Sequence, residues 1–459
     1  MEKQNIEFKA IPEFEGIKFN EEGELLMMAS MKAPLFEQNE EDKRAPVDLC
    51  CVIDKSGSMA GAKLALVKSA MEFVLKNLDQ GDSLSIVVYD TVVQTPLHFM
   101  KMNKDGKEIA KKTIENIVDG SSTNLSGGLL QGLENVSKRK EPNEICSILL
   151  LTDGLANHGI TNTTQIVGEM EKKLEEIKLQ GKSCTVFTFG FGSDHDENML
   201  RRISEAGKGL YYFVENLDKI PTSFADCLGG LQSVVGQNIS LSLEAANGCL
   251  ITKNLNTRYK VNGTLPSNTL TLELGDIYSE EERDLVFLMK VPKLDQETDK
   301  FDCANLSLSY FNVLSTQDIQ AQTTLTISRP STISEDVKPN IQLDIQRNRL
   351  QVAEAIEKGR DMANRGEYKN ARDLLTKIKD NIRTSPSSRE AFCGKLIQDL
   401  DQCYNDLEDP SDYQTRGSKA FMRKMMSHGQ QRSTRVEDTD VDYYETSAKS
   451  RSKMSSSRS

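Results

Sequence analysis

The sequence predicts an α/β fold: a doubly wound, mostly parallel sheet inserted in, or followed by, an antiparallel β-sandwich. A C-terminal α-helical module and a disordered tail complete the expected chain. Three observations carry this reading. Between residues 46 and 235, continuous apolar runs alternate with helical periods, the pattern of parallel strands buried on both faces. Between 236 and 330 the apolar period falls to two, as in strands with one face in a core and one in water. Beyond 346 the helical period returns, and after about 433 the chain turns to Ser, Arg, Lys and Asp.

Residues 1–45 hold short strands. Ile6-Glu7-Phe8-Lys9-Ala10 alternates, and Leu25–Met31 is apolar with little helical spacing. The polar run Gln38–Arg44 separates them from the next domain. Val47–Ile53, Leu84–Tyr89, Ile145–Leu151 and Cys184–Phe191 are the buried strands of the α/β domain, 46–235. Leu64, Val67, Met71, Val74 and Leu78 give one intervening helix, and Ile166, Met170, Leu174 and Ile177 another. Gly209–Phe213 reads as its last strand, followed by a helix through Phe224, Leu228 and Leu231.

In the sandwich, 236–330, five alternating strands are expected around Ile239/Leu241/Leu243, Leu270/Leu272/Leu274, Leu285/Phe287/Met289, Leu306/Leu308/Tyr310 and Leu325/Ile327. The first 45 residues are natural partners for them, which would make the α/β domain an insertion. Residues 331–346, polar and containing Pro339, read as a linker, and 347–433 as the helical module. Its Gly366–Ala371 turn resembles a tetratricopeptide helix-turn-helix. A single such unit cannot bury its own face and is expected to pack on something else. The composition of 434–459 cannot offset the entropy of ordering, so disorder is expected there.

A net charge of −12 over 459 residues argues against nucleic acid as a partner, because phosphate binding needs a basic face. Nine scattered cysteines with no CxxC pair give neither a zinc cage nor a disulfide framework, and point to a reducing compartment. The charged start Met1–Asn5 opens on no apolar core, and no apolar run is long enough for a membrane span, so a cytoplasmic chain is expected. Catalytic sets fail on inspection. His98, His158, His195 and His428 lie far apart in sequence, and Gly57–Leu64 lacks the glycine spacing and the Ser/Thr of a phosphate loop.

Asp54-Lys55-Ser56-Gly57-Ser58 follows a buried strand and precedes a helical period. That puts a carboxylate and two hydroxyls at the strand-end crevice where open α/β sheets gather ligands. Oxygen-only donors suit a hard divalent cation. Asp153 in Leu151-Thr152-Asp153-Gly154 ends another buried strand on the same edge, and Thr123 in Gly120–Leu125 lies in a turn before a helix. Asp90 and Asp194-His195-Asp196 fall at corresponding strand ends and read as turn or rim residues.

Together, Asp54-x-Ser56-x-Ser58, Thr123 and Asp153 resemble the metal-ion-dependent adhesion site of a von Willebrand factor A-type domain, a Rossmann-like fold. The resemblance implies Mg2+, with Mn2+ or Ca2+ as alternatives. Ser56, Ser58 and Thr123 would be hydroxyl ligands, with Asp54 and Asp153 acting through bound water. It implies a partner protein offering a Glu or Asp to the metal. Leu274–Asp284 resembles the sandwich strands that follow intracellular A-type domains. Gly417–Ala420 with Ser427–Arg432 is similar to the C-terminal module of plant RING-type ubiquitin ligases and of A-type proteins fused to Hint domains. No Cys/His RING array and no splicing domain occurs in the sequence, so the expectation is a non-enzymatic interaction module. The alternatives are a substrate-selecting adaptor of the ubiquitin pathway and a scaffold whose metal stiffens the loops.

Overall fold

In a computed structural model, which describes residues 4–36, 44–192, 194–334, 337–432 and 443–457, the first unit of the chain is assembled from both sides of an insertion. It comprises Met1–Leu35 with Val235–Ser433, and the second unit comprises Phe36–Val234 with Thr434–Ser459. Strands β1 (Glu7–Pro12) and β2 (Gly23–Lys32) begin the first unit.

The second unit runs β3 (Val47–Asp54), α1 (Ala62–Asn77), β4 (Ser83–Tyr89), β5 (Val93–Lys101), α2 (Lys104–Glu115), α3 (Leu125–Ser137), β6 (Ile145–Thr152), α4 (Thr163–Leu179), β7 (Thr185–Phe191), α5 (Glu197–Ala206), β8 (Lys208–Val214) and α6 (Ile220–Leu231). Its six strands lie in the order β5-β4-β3-β6-β7-β8. All neighbours are parallel except the β4–β5 pair. Every residue of β3, β4, β6 and β7 is buried, which is why these strands carry no alternation in sequence. The edge hairpin partner β5 and helices α2 and α5 were not expected. β5 contains Pro96 and exposed polar residues, as edge strands do, so it lacks an apolar signature.

The first unit resumes with β9 (Val234–Ala245), β10 (Leu250–Asn254), β11 (Lys260–Asn262), β12 (Thr269–Tyr278), β13 (Glu282–Val291), β14 (Thr298–Asn312) and β15 (Gln317–Arg329). One sheet has the order β1-β2-β13-β10 and the other β11-β12-β9-β14-β15. Seven strands thus stand where five were expected, because β10 and β11 are too short and exposed to show a period. On β2 and β13, Leu25, Met27 and Ala29 pair with Met289, Phe287 and Leu285 on one face. Leu26 and Met28 pair with Leu288 and Val286 on the other. Both faces are covered, since Leu26, Met28 and Val286 pack with Leu343 and Leu350 of the next helix.

That helix, α7 (Ile341–Asn364), starts before the expected boundary, inside the stretch 331–346 read as linker. Asn340 accepts a hydrogen bond from the Leu343 amide at 3.1 Å, an N-cap. The polar Gln342, Asp344 and Gln346 hide a stripe that begins at Leu343. The module continues with α8 (Tyr368–Thr384), α9 (Ala391–Asp406), a single turn α10 (Pro410–Asp412) and α11 (Ser418–Gln430). The first helix of the helix-turn-helix therefore packs on the outer face of β2 and β13 in its own unit, as the need for a packing partner required.

The tail departs from expectation as well. Residues 434–442 and 458–459 lie outside the described set, as do 37–43 of the polar separator. Within the rest, Ser447–Ser457 forms α12, which lies against α6 of the second unit. Two lysines spaced four apart, Lys449 and Lys453, meet a buried carboxylate there. Composition alone could not show that a charge in the folded domain needed them.

Candidate metal site

The site is built at the carboxyl ends of β3 and β6, which are hydrogen-bonded neighbours in parallel register. Asp54 is the last residue of β3 and Asp153 follows β6, and both are fully buried. Asp54 Oδ1 accepts the Ser56 amide at 2.9 Å, and its Oδ2 accepts the Thr152 hydroxyl at 2.6 Å. Thr152 Oγ1 in turn accepts the Gly154 amide at 2.9 Å. Gly154 has φ near +70°, so the turn that carries Asp153 out of the strand uses the left-handed conformation that glycine adopts without cost. Burial pushes the Asp54 carboxyl up to about 6 in spite of the hydrogen bonds from Ser56 and Thr152. A group held so far from water wants a cation beside it.

Three loops are stitched to one another by backbone bonds. Lys55 N donates to Tyr89 O at 2.9 Å, Gly57 N to Ser121 O at 2.8 Å, and Gly120 N to Lys55 O at 2.6 Å. These bonds bring the Gly120–Leu125 loop against Asp54–Ser58. The Thr123 amide donates to Asn157 Oδ1 at 2.8 Å, and its carbonyl accepts Asn157 N and His158 N at 3.1 Å. The Asp153 loop therefore holds Thr123 from the other side. Asn124 caps α3 by accepting the Gly127 amide.

The hydroxyls are conspicuous for what they do not bond. Ser56 Oγ and Ser58 Oγ lie 3.2 Å apart, and the Thr123 hydroxyl has no partner among the described residues. Ser56 and Thr123 are both buried, and for Thr123 the unmade hydrogen bond is costly. The fully buried Tyr89 hydroxyl is also left without a normal hydrogen bond, next to Asp54 and Thr152. Buried hydroxyls of this kind, beside two buried carboxylates, are oxygen donors of the type that a hard cation would take. Among the described residues no group of three or more His, Cys, Asp or Glu side chains converges.

One cation of the chain already touches the site. Lys63 Nζ, on the first turn of α1, lies 3.1 Å from Asp153 Oδ2 and 2.8 Å from Asp194 Oδ1. No sequence pattern marks this lysine, because a charge on an amphipathic helix reads as a solvated face. The rim residues behave as structural groups. Asp90 pairs with Lys55 at 2.7 Å, Asp196 caps α5 through the Met199 amide, and His195 bonds Gly192 O and the Tyr211 hydroxyl.

Comparison with known proteins agrees with this architecture. Residues 48–226 match the von Willebrand factor type A domain, and residues 339–440 match the N-terminal region of the CPSF6-like RSLD domain. The chain is 28% identical over 363 residues to the E3 ubiquitin-protein ligase WAV3 of Arabidopsis thaliana, covering 78% of this chain and 45% of that protein. It is 31% identical over 208 residues to the uncharacterized protein sll0103 of Synechocystis, covering 45% and 47%. The chain thus spans less than half the length of these relatives. The solved structure of a von Willebrand factor type A protein from Catenulispora acidiphila superposes with a TM-score of 0.67 at 15% identity, covering 91% of this chain and 96% of that one. Residues 48–226 are therefore a von Willebrand factor type A domain, a protein-interaction module. It is carried by a chain whose flanking antiparallel sheets and C-terminal helices share the fold of that structure.

Proposed function

We propose that the chain is a metal-dependent protein-interaction module. Asp54, Ser56, Ser58, Thr123 and Asp153 hold a magnesium ion, with manganese or calcium as substitutes. The observation that carries this reading is the pair of buried carboxylates at adjacent strand ends beside the Ser56 and Ser58 hydroxyls, which bond each other at 3.2 Å, and the Thr123 hydroxyl, which has no partner among the described residues. A bound magnesium ion would supply an electrophilic position with an exchangeable water, open to a partner's Glu or Asp. Thr152 and the Ser56 amide fix the Asp54 carboxylate, and the Asn157 side chain fixes the Thr123 backbone. The chain's own part is thus to pre-orient oxygens and keep the loops from collapsing.

The test is a calorimetric titration of the full chain with Mg2+ and with Mn2+. We expect single-site binding that Ser56→Ala or Thr123→Val weakens at least tenfold, with circular dichroism unchanged. Equal binding by all three proteins would refute the ligand assignment.

A second reading has its own observation: similarity to a ubiquitin ligase extends over 363 residues, beyond the A-type domain. In that reading the chain is a non-enzymatic adaptor that presents clients to a separate ligase in the cytoplasm. Among the described residues no helix is long and apolar enough to cross a membrane. Affinity purification from cytosol that recovers a ubiquitin ligase only with intact Asp54 would favour the adaptor over a free-standing binding module.

A further inference from the structure

The contact between α12 and α6 is unusual in its electrostatics. Asp226 sits in the middle of α6, fully buried, where a carboxylate is costly unless paired. Its Oδ2 accepts from the Tyr212 hydroxyl at 2.9 Å and from Lys449 Nζ at 2.8 Å, and Lys453 Nζ lies 3.1 Å from Oδ1. Tyr212 is neutral, so among the described residues the ion pairs of Asp226 are with Lys449 and Lys453 of the tail. Lys449 is itself buried, so the two charges are hidden by each other.

Close packing accompanies the ion pairs. A side chain on Gly229 would meet Ser452 Cβ at 3.0 Å and Lys449 Cα at 3.2 Å, so the two helices touch through a residue that has none. Ser452 is half-buried at this crossing, between Lys449 one turn back and Lys453 next in sequence. Ser447, by contrast, is exposed at the start of the helix.

We propose that Ser452 is a phosphorylation site and that its modification releases α12 from the α6 face. Two effects act together. Ser452 Cβ already touches Gly229, so a phosphoryl group turned toward α6 would have to push the two helices apart. Its charge of about −2 also draws Lys449 and Lys453 away from Asp226, leaving that carboxylate buried and unpaired unless the tail leaves. Phosphate on Ser447 would do neither. It would sit in solvent at a helix N-terminus, where negative charge is favourable. Arg451 and Lys453 flank Ser452, which suits a kinase that reads basic residues.

The experiment is hydrogen exchange on the full chain in three forms: unmodified, with phosphoserine at 452, and with phosphoserine at 447. We expect phosphoserine 452 to speed exchange at least tenfold in 443–457 and on the outer face of 220–231. The β3, β6 and β7 amides should stay protected, and phosphoserine 447 should leave every segment unchanged. Unchanged protection in the 452 form would overturn the proposal. So would loss of protection throughout the six-stranded sheet, because release must be local, and so would equal effects of the two phosphoserines.

Discussion

Lys63 is the residue whose chemistry bears most directly on the proposed metal site. Its ammonium lies 3.1 Å from Asp153 and competes with any divalent cation for that carboxylate. At a separation of about 4 Å, one such charge shifts binding by about 1 kcal/mol at a dielectric near 80 and by about 4 kcal/mol near 20. Lys63→Met should therefore tighten Mg2+ binding at least about fivefold in calorimetry, and weaker binding would mean the lysine supports the site. A second residue-scale expectation concerns Gly128. A Cβ there would sit 2.3 Å from the Tyr89 ring, so Gly128→Ala should cost about 1–3 kcal/mol of stability by overpacking. Thermal melting of the variant against the parent chain reads that cost. The five proposed ligands were legible in sequence because each stands at a strand end or turn defined by buried runs. Lys63, Thr152 and Tyr89 were not, because each looks like an ordinary helix-surface or strand residue until the fold brings it to Asp54 or Asp153.

At the scale of elements, the first unit is fastened by a buried charge cluster. Arg432, just beyond α11, donates to Glu281 Oε1 at 2.6 Å and stacks on Tyr278. Arg283 donates to the same carboxylate at 3.1 Å. Burial alone would raise Glu281, but the Arg283 and Arg432 guanidiniums hold it down at about 2. A carboxyl depressed from 4.5 to about 2 contributes roughly 3 kcal/mol. That contribution is fully present above about pH 4.5 and is lost as the pH falls toward 2. Glu281→Gln should therefore destabilise β12 and β13 by about 3–5 kcal/mol at pH 7. The gap from the parent should narrow as the pH approaches 2, a trend that segment-resolved unfolding measures; a gap that does not vary with pH would contradict it. In the same unit Leu343→Ala should cost about 2–5 kcal/mol, because Leu343 is fully buried between α7 and the strands. The periods of α7 and of β2 were readable separately. Their meeting was not, although the apolar run Leu25–Met28 hinted that both faces of β2 were covered. The tail helix was hidden for another reason: its lysines pair with Asp226, a charge that sits unannounced within an apolar helix.

At the scale of the whole molecule, the chain joins an interaction domain to a sandwich-and-helix unit made from the sequence on either side of it. The fold class was legible because burial sets the apolar period: no alternation where strands are covered twice, alternation where they are covered once. Short or edge strands escaped because they bury too little to leave a pattern. The choice between a module that binds through a metal and a scaffold stiffened by one rests on partners, and one measurement separates them. The full chain is used to recover partners from lysate with magnesium, with EDTA, and as Asp54→Ala. The metal-bridge account expects a set of proteins present in the first condition and absent from the other two, while the melting temperature of the variant stays within a few degrees of the parent. Recovery of the same partners in all three conditions would contradict it.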